Sequence, residues 1–443
     1  MNTVLLVDYG STYTKVVAVD TSSRKLLGCA SAYTTIETDV QEGLATALNE
    51  LEKQTGKIDF HKKLACSSAA GGLRMVASGL VPELTAKAAS LAAMGAGAKI
   101  VGLYIYEMTE DDIEEIGEKS PDILLLTGGT DGGNKKCILH NAELLADAPG
   151  DFPIIVAGNR NTAREVMRKL ANRRAYLCEN VMPSIGALNI EPARQLIRDI
   201  FLERIIHAKG LHDEVQMPTP AAVLAATELL AKNVGELMAI DLGGATTDIY
   251  SISDGEPTAA KTIYKGLPEP YAKRTVEGDI GMRYSAQGVV EAAGLREISK
   301  LSEQCEDDAL KKILHLSEHT EMLPKTNDEK LIDFALAAMA IETATIRHAG
   351  LLEEYYTSSG LSYVQTGKDL TGVQTILMTG GALINSDRQD ELVKYALYSE
   401  KQPQSLRPKK ANLLIDKEYI LSAMGLLSGY DPTTALEIME SEL

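Results

Sequence analysis

The chain has 443 residues, enough for two to four domains at roughly 100–200 residues each. Lys and Arg number 44 against 62 Asp and Glu, a formal net charge of −18 that argues against nucleic acid as a partner, because phosphate-backbone binding needs clustered cations. With 45% hydrophobic and 24% charged residues the composition is that of a globule and excludes a mainly disordered chain.

In chain order, Val4 to Asp20 reads as strand, Val40 to Gln54 as helix, Lys63 to Ser68 as strand and Leu84 to Met94 as helix. Ile100 to Tyr106, Ile123 to Leu126 and Ile154 to Ala157 continue as strands, with helix-like stretches at Asp111 to Gly117 and Asn161 to Ala171. Glu191 to Lys232 is the most helical part, interrupted where Met217-Pro-Thr-Pro220 ends one helical pattern and Ala221 to Ala231 starts another. Met238 to Ile240 is a strand. A helical block follows from Arg283 to Glu321, then a helix over Asp328 to Arg347, a strand over Ile376 to Met378, an irregular segment over Tyr398 to Lys410, and a final helix over Glu418 to Leu427. This alternation predicts an α/β protein with mixed sheets. No basic leader precedes Val4, and no run approaches the roughly 18–20 apolar residues of a bilayer span, so a soluble cytoplasmic protein with no membrane association is expected. The five scattered cysteines, Cys29, Cys66, Cys137, Cys178 and Cys305, fit reduced thiols there.

The two halves carry an internal duplication. Val7-Asp-Tyr-Gly-Ser-Thr-Tyr-Thr-Lys15 aligns without a gap on Ile240-Asp-Leu-Gly-Gly-Ala-Thr-Thr-Asp248, pairing Asp8 with Asp241, Gly10 with Gly243 and Thr14 with Thr247. Leu124-Leu-Leu-Thr-Gly-Gly129 and Ile376-Leu-Met-Thr-Gly-Gly381 read as a second repeated element. An Asp closing a buried strand, followed by Gly and small hydroxyl residues before a second strand, makes a hairpin whose backbone N–H groups approach phosphate oxygens. Gly10, Gly243 and Gly244 supply the conformational freedom, Ser11, Thr12, Thr14, Thr246 and Thr247 the neutral donors, and Lys15 a cation. Paired carboxylates beside phosphates hold Mg²⁺ largely through its waters, which makes Asp8 and Asp241, with Asp248 at the end of the second hairpin, the candidate metal residues. The expected ligand is MgATP or MgADP.

These motifs resemble the actin, sugar kinase and Hsp70 ATPase superfamily. Asp8 to Lys15 is similar to its first phosphate motif, Asp241 to Asp248 to its second, with Ala245 where chaperone members have a third Gly, and Thr379-Gly-Gly-Ala382 to its adenosine motif through Gly380, Gly381 and Ala382. The resemblance implies two actin-like (ribonuclease H-like) lobes, each with a mixed five-stranded sheet flanked by helices, around a central nucleotide cleft. Lobe I would span 1–234 with the C-terminal segment 419–443 returning to it, and lobe II 235–418. A closer resemblance spans nearly the whole chain. Ser67-Ser-Ala-Ala-Gly-Gly-Leu-Arg-Met75, Gly79-Leu-Val-Pro-Glu83, Thr127-Gly-Gly-Thr-Asp-Gly-Gly-Asn134, Asn180-Val-Met-Pro183, Ile190-Glu-Pro-Ala-Arg194, Met217-Pro-Thr-Pro220 and Thr275-Val-Glu-Gly-Asp-Ile-Gly-Met-Arg283 are similar to the glutamate mutase accessory protein family (GlmL/MutL), unrelated to the mismatch-repair protein of the same name. That family implies an ATP-dependent reactivating factor for an adenosylcobalamin-dependent mutase such as glutamate mutase.

Further residues are weighed against plainer roles. Asp131 either orients an attacking water, as a connecting-loop residue does in the superfamily, or serves as a turn residue. Glu277 and Asp279 precede a helix that in the superfamily contacts the nucleotide's base and ribose; otherwise they cap it, with Arg283 one turn on. His315-Leu-Ser-Glu-His319 matches an inverted zinc-protease string but reads as a solvated helix face. Asp59-Phe-His61-Lys-Lys-Leu64 is similar to a cobalt-ligating signature, yet Leu64 replaces its Gly, so cobalamin is expected on the partner and none bound directly here. The small-residue run Ala86 to Ala98 permits close helix packing. A small-molecule kinase and an actin-like filament protein are the competing readings, separated by acceptor-dependent phosphorylation and by nucleotide-dependent sedimentation.

Overall fold

The computed structural model describes residues 2–10, 12–34, 40–68, 73–206, 215–358 and 360–443. The chain divides into two compact units: Met1–Ala225 with Gly266–Pro268 and Ser422–Thr434, and Ala226–Lys265 with Glu269–Leu421 and Ala435–Leu443.

The first unit contains strands β1 (Thr3–Tyr9), β2 (Tyr13–Asp20), β3 (Lys25–Tyr33), β4 (Lys62–Ser67), β5 (Leu73–Gly79), β6 (Ala98–Ile105), β7 (Ile123–Leu126), β8 (Ile154–Val156), β9 (Ala175–Leu177) and β10 (Val215–Pro218). Helices α1 (Val40–Thr55), α2 (Lys87–Gly95), α3 (Glu110–Lys119), α4 (Lys136–Ala146), α5 (Ala163–Lys169) and α6 (Glu191–Ile200) lie between them, and α7 (Thr219–Val234) carries the chain onward. One sheet has the order β10-β4-β1-β2-β3, with β1, β2 and β3 an antiparallel meander and β4 and β10 parallel to β1.

The second unit contains β11 (Leu237–Leu242), β12 (Thr247–Ile252), β13 (Thr262–Lys265), β14 (Ala272–Glu277), β15 (Leu351–Thr357), β16 (Gly360–Thr366), β17 (Thr375–Thr379) and β18 (Asn412–Ile415). Its main sheet, β14-β12-β11-β17-β18, repeats the first strand for strand: β11, β12 and β14 are the meander, and β17 and β18 run parallel to β11. The duplication in sequence is therefore a duplication of topology, in the ribonuclease H-like order of actin-like proteins. Helices α8 (Ala286–Ala293), α9 (Leu295–Ser302), α10 (Glu306–Glu318) and α11 (Asn327–His348) cover this sheet, burying Met238, Ile240 and Ile249 under Phe334, Leu336 and Ile341. A small sheet, β13-β16-β15, stands beside it.

Two expectations are corrected. The first unit holds a further five-stranded sheet, β6-β5-β7-β8-β9, parallel throughout and buried on both faces: Met75, Ala77, Ile123 and Leu125 enter one core, Val76, Leu124, Leu126 and Val156 the other. Such double burial produces an unbroken apolar run like Ile123-Leu-Leu-Leu126. Since β7 belongs to this sheet, the first Thr-Gly-Gly is not the counterpart of the second; β4 is the strand equivalent to β17. Met217 and Pro218 do not interrupt helices but form the end of β10, an edge strand, where proline's missing donor is tolerated. The helical block from Arg283 to Glu321 consists of the three helices α8, α9 and α10. The small-residue run packs as expected, with Ala88, Ala89, Ala92 and Ala93 wholly buried in α2.

Candidate functional site

The first hairpin turns between β1 and β2, where Gly10 N–H donates to the Tyr13 carbonyl at 3.2 Å. A Cβ on Gly10 would stand 2.5 Å from that carbonyl oxygen, so the turn needs glycine. Ser11 lies outside the described residues. Asp8 and Lys15 are direct cross-strand partners and share one face of the sheet. Asp8 is 4% exposed, and both carboxylate oxygens are held: Thr219 Oγ1 donates to Oδ1 at 2.6 Å and Ser422 Oγ to Oδ2 at 2.9 Å. Thr219 opens α7 directly after β10, and Ser422 lies in the first turn of helix α14 (Leu421–Ser428), which follows the short helices α12 (Gly381–Ile384) and α13 (Gln389–Leu392). Gly425 makes α14 fit, since a Cβ there would fall 1.8 Å from the Ala222 carbonyl oxygen of α7. Cys66 lies in the same place, 3.7 Å from Thr219 Oγ1. Burial, reinforced by the Asp8 charge, pushes its thiol well above the ordinary range, so it is an inert neighbour rather than a nucleophile.

The second hairpin turns between β11 and β12, with Gly243 N–H donating to the Thr246 carbonyl at 2.9 Å. The segment after β14 backs this loop: Met282 N–H donates to the Gly243 carbonyl and Arg283 N–H to the Gly244 carbonyl. Gly281 is needed there, because a Cβ would lie 2.5 Å from the Ala245 carbonyl carbon. With its carbonyls engaged on that side, the loop has three consecutive N–H groups, those of Gly244, Ala245 and Thr246, that no acceptor among the described residues takes. Consecutive unpaired amides of this kind form an anion-binding concavity. Ala245 is accommodated, and its methyl does not prevent the turn.

The third element of this unit follows β17. Gly380 has φ +102°, and a Cβ there would be 2.3 Å from the Leu242 carbonyl oxygen, so the Thr-Gly-Gly turn packs directly on the strand leading into the second hairpin. Gly381 and Ala382 begin α12, with the Tyr419 hydroxyl 3.4 Å from where a Cβ on Gly381 would be. Asp416, 1% exposed, fixes this corner by accepting from Thr379 Oγ1 at 3.0 Å, Ile420 N–H at 2.8 Å and Leu421 N–H at 3.2 Å.

Several expected site residues have other duties. Thr14 and Thr247 occupy equivalent positions and are both wholly buried. The Thr14 hydroxyl pairs with Thr34 Oγ1 at 3.1 Å, and Thr247 Oγ1 donates to the Ile280 carbonyl at 2.9 Å. Alternation along a strand explains this correction: Lys15 and Asp248 face the Asp8 and Asp241 side, so the preceding threonines face the core. Asp248, expected among the metal residues, already has a cation. Arg274 Nε donates to its Oδ1 at 2.7 Å, both groups being buried, and Thr246 Oγ1 donates to Oδ2 at 3.3 Å. Asp241 and Asp248 are directly opposed in the ladder, and Arg274 offsets that like-charge pair where the first hairpin has Lys15 instead.

Glu277 is the last residue of β14, pairs with Arg347, and is shifted upward by burial. The Asp279 carbonyl lies against Gly288 of α8, where any Cβ would collide. Arg283 precedes α8 rather than sitting within it, and its guanidinium is held bidentately by Asp333 at 3.1 and 2.8 Å.

Asp131 lies in the loop after β7, on the parallel sheet. Its Oδ1 accepts from Arg160 N–H and Asn180 Nδ2, both at 3.0 Å, while buried Asn159 bridges Gly132, Gly133 and Asn134. His61 Nε2 lies 3.4 Å from the Tyr430 hydroxyl. None of the five cysteines is in a disulfide. Among the described residues no helix is long and apolar enough to cross a membrane.

Thr219, Ser422, Asp416 and Arg274 were not anticipated. Thr219 had a signal, a hydroxyl residue between two prolines at a helix start; Ser422 is 414 positions from Asp8 and had none.

The family model for MutL protein matches residues 4–443. "Protein MutL" of Clostridium tetanomorphum is 45% identical over 459 aligned positions, which cover 100% of this chain and 99% of that protein. Among solved structures, component A of the (R)-2-hydroxyglutaryl-CoA dehydratase of Acidaminococcus fermentans is 12% identical with a TM-score of 0.32, covering 100% of this chain and 99% of its own. A xylulose kinase of Lactobacillus acidophilus is 11% identical with a TM-score of 0.34, covering 98% and 91%. Likeness at that level carries no inference about activity.

Proposed function

The chain belongs to the MutL protein family, and on that premise we propose that it is an ATP-dependent reactivating factor for an adenosylcobalamin-dependent mutase such as glutamate mutase. It hydrolyses ATP to ADP and phosphate, weakly without its partner, and promotes exchange of damaged cobalamin held by the mutase. The observation that carries the nucleotide reading is the repeated Asp-x-Gly hairpin on topologically equivalent strands, with the three amides of Gly244, Ala245 and Thr246 that no acceptor among the described residues takes.

The residues present fit a magnesium nucleotide. The amides of 244–246 suit phosphate oxygens, Lys15 adds a cation opposite Asp8, and Gly381, with no side chain beside the Tyr419 hydroxyl, is the proposed contact for the nucleoside end, the turn at Gly380 being packed on Leu242. Asp8 and Asp241 would hold the ion through its waters, while Asp248 serves as counter-ion to Arg274. Bound magnesium would neutralise charge developing on the transferred phosphoryl group. The hydroxyls of Thr219 and Ser422 keep the Asp8 carboxylate in one orientation, so no rotamer has to be found when the ion arrives. Asp131, held by Asn180 and Arg160, is the proposed water-orienting group. Nucleotide-dependent change in affinity for the mutase of about 1–3 kcal/mol suffices for binding and release.

The test mixes inactivated glutamate mutase, free adenosylcobalamin and MgATP with this protein or with its Asp8→Ala variant. Recovery of mutase activity with the unaltered chain and not with the variant supports the reading. Failure of the unaltered chain under conditions where calorimetry shows ATP bound removes the mutase assignment, and absence of nucleotide binding removes the ATPase assignment.

A further inference from the structure

The end of α10 carries a group that the nucleotide reading does not use. His315, Glu318 and His319 are exposed, and one ligand atom from each lies within 4.8 Å of the others. The two imidazole rings are 4.2 Å apart between centroids, at 41°. We propose that these three side chains form a surface site for a divalent late transition metal, of the zinc or nickel class, independent of nucleotide.

The argument rests on donor chemistry, tautomer and position. Two imidazole nitrogens and one carboxylate oxygen favour Zn²⁺, Ni²⁺ or Cu²⁺ over Mg²⁺ or Ca²⁺, which prefer all-oxygen sets. His319 Nδ1 is 3.1 Å from the His315 carbonyl oxygen. A carbonyl can only accept, so Nδ1 carries the proton and Nε2 keeps its lone pair for a metal. A backbone carbonyl holding the far nitrogen is the usual way a metal-binding imidazole is oriented. Position adds to this: α10 spans Glu306–Glu318, and its C-terminal carbonyls present partial negative charge where the three side chains meet. His315 and His319 lie four apart, the spacing by which a helix turn brings two imidazoles together. The remaining coordination positions open to solvent and take water, so this is a binding site and not the buried, three-ligand cleft of a protease.

Untagged full-length protein carrying Cys305→Ser, which removes the exposed thiol at the other end of α10, is titrated with Zn²⁺ and separately with Ni²⁺ by calorimetry, with millimolar Mg²⁺ present throughout. The expected result is one ion per chain, bound in the micromolar range. His319→Ala and His315→Ala should each weaken binding by roughly tenfold or more, and Glu318→Gln by less. All three side chains are exposed, so circular dichroism should be unchanged in every variant. Absence of binding at 100 μM metal overturns the proposal. So does a stoichiometric site that survives in the His315→Ala/His319→Ala double variant, which would assign the ion elsewhere, His207 and His212 outside the described residues included. ATP affinity is unaffected by these variants, so the result stands apart from the nucleotide reading.

Discussion

Lys368 follows β16 and is wholly buried, its Nζ donating to the Tyr271 carbonyl at 2.7 Å. Gly255, with φ +66°, makes room for its stem, since a Cβ there would stand 2.6 Å from Lys368 Cγ. Burial, and then the nearby Lys273 charge, lower its pKa from 10.5 to about 7 against the weaker opposing pull of Glu269, Glu236 and Asp254. At about 1.4 kcal/mol per pH unit, that displacement corresponds to roughly 5 kcal/mol of differential stability. Between about pH 7 and 10.5 the unfolded chain holds a proton on this amine that the folded chain does not. Stability from this group therefore rises with pH across that window and is flat below it.

Replacing Lys368 with Met removes the titration. The loss of the hydrogen bond to Tyr271 shifts stability by about 1 kcal/mol at every pH and leaves the slope untouched. Urea unfolding of both proteins at pH 7.5, 8.5 and 9.5 should give a wild-type curve that gains about 1.4 kcal/mol per pH unit on the variant. Cysteines and tyrosines that titrate in the same range are common to both chains and cancel in the difference. Parallel stability curves would refute the reasoning, because a lysine ionising normally in the fold contributes no slope there.

Ser422→Ala and Thr219→Val should each destabilise the protein by about 1–3 kcal/mol in thermal unfolding, since each takes one donor from a buried carboxylate, and should weaken MgATP binding more than ATP binding in EDTA. Gly380→Ala should cost roughly 2–4 kcal/mol from its left-handed backbone and the contact with Leu242, with nucleotide binding lost. Gly132→Ala, at φ +76° with open space around it, should cost only about 1–2 kcal/mol by the same measurement. Arg274→Met should cost about 3–5 kcal/mol by leaving Asp248 unpaired, and adding Asp248→Leu should restore most of the lost melting temperature.

Local chain chemistry made the two hairpins readable. Asp8 with Gly10, and Asp241 with Gly243, combine buried apolar strand, tight turn and returning strand within nine residues, and short-range sterics decide such turns. The same locality misled at Thr14 and Thr247, whose hydroxyls look available in a string but face the core once strand alternation is imposed. It also misled at the two Thr-Gly-Gly runs, because any buried parallel strand ending in a glycine turn looks alike until its neighbours are known.

Residue order alone therefore determined the α/β class, the repeat of the Asp-x-Gly hairpins and the candidate phosphate loops, all of which depend on neighbours within a few positions. Tertiary structure decided the partners of the charges: Thr219 and Ser422 on Asp8, Arg274 on Asp248, Asp416 beneath the last Thr-Gly-Gly, and the separate parallel sheet that holds Asp131. A buried charge is satisfied by whatever donor or counter-ion the fold brings to it, and separation along the chain places no limit on which residue that is.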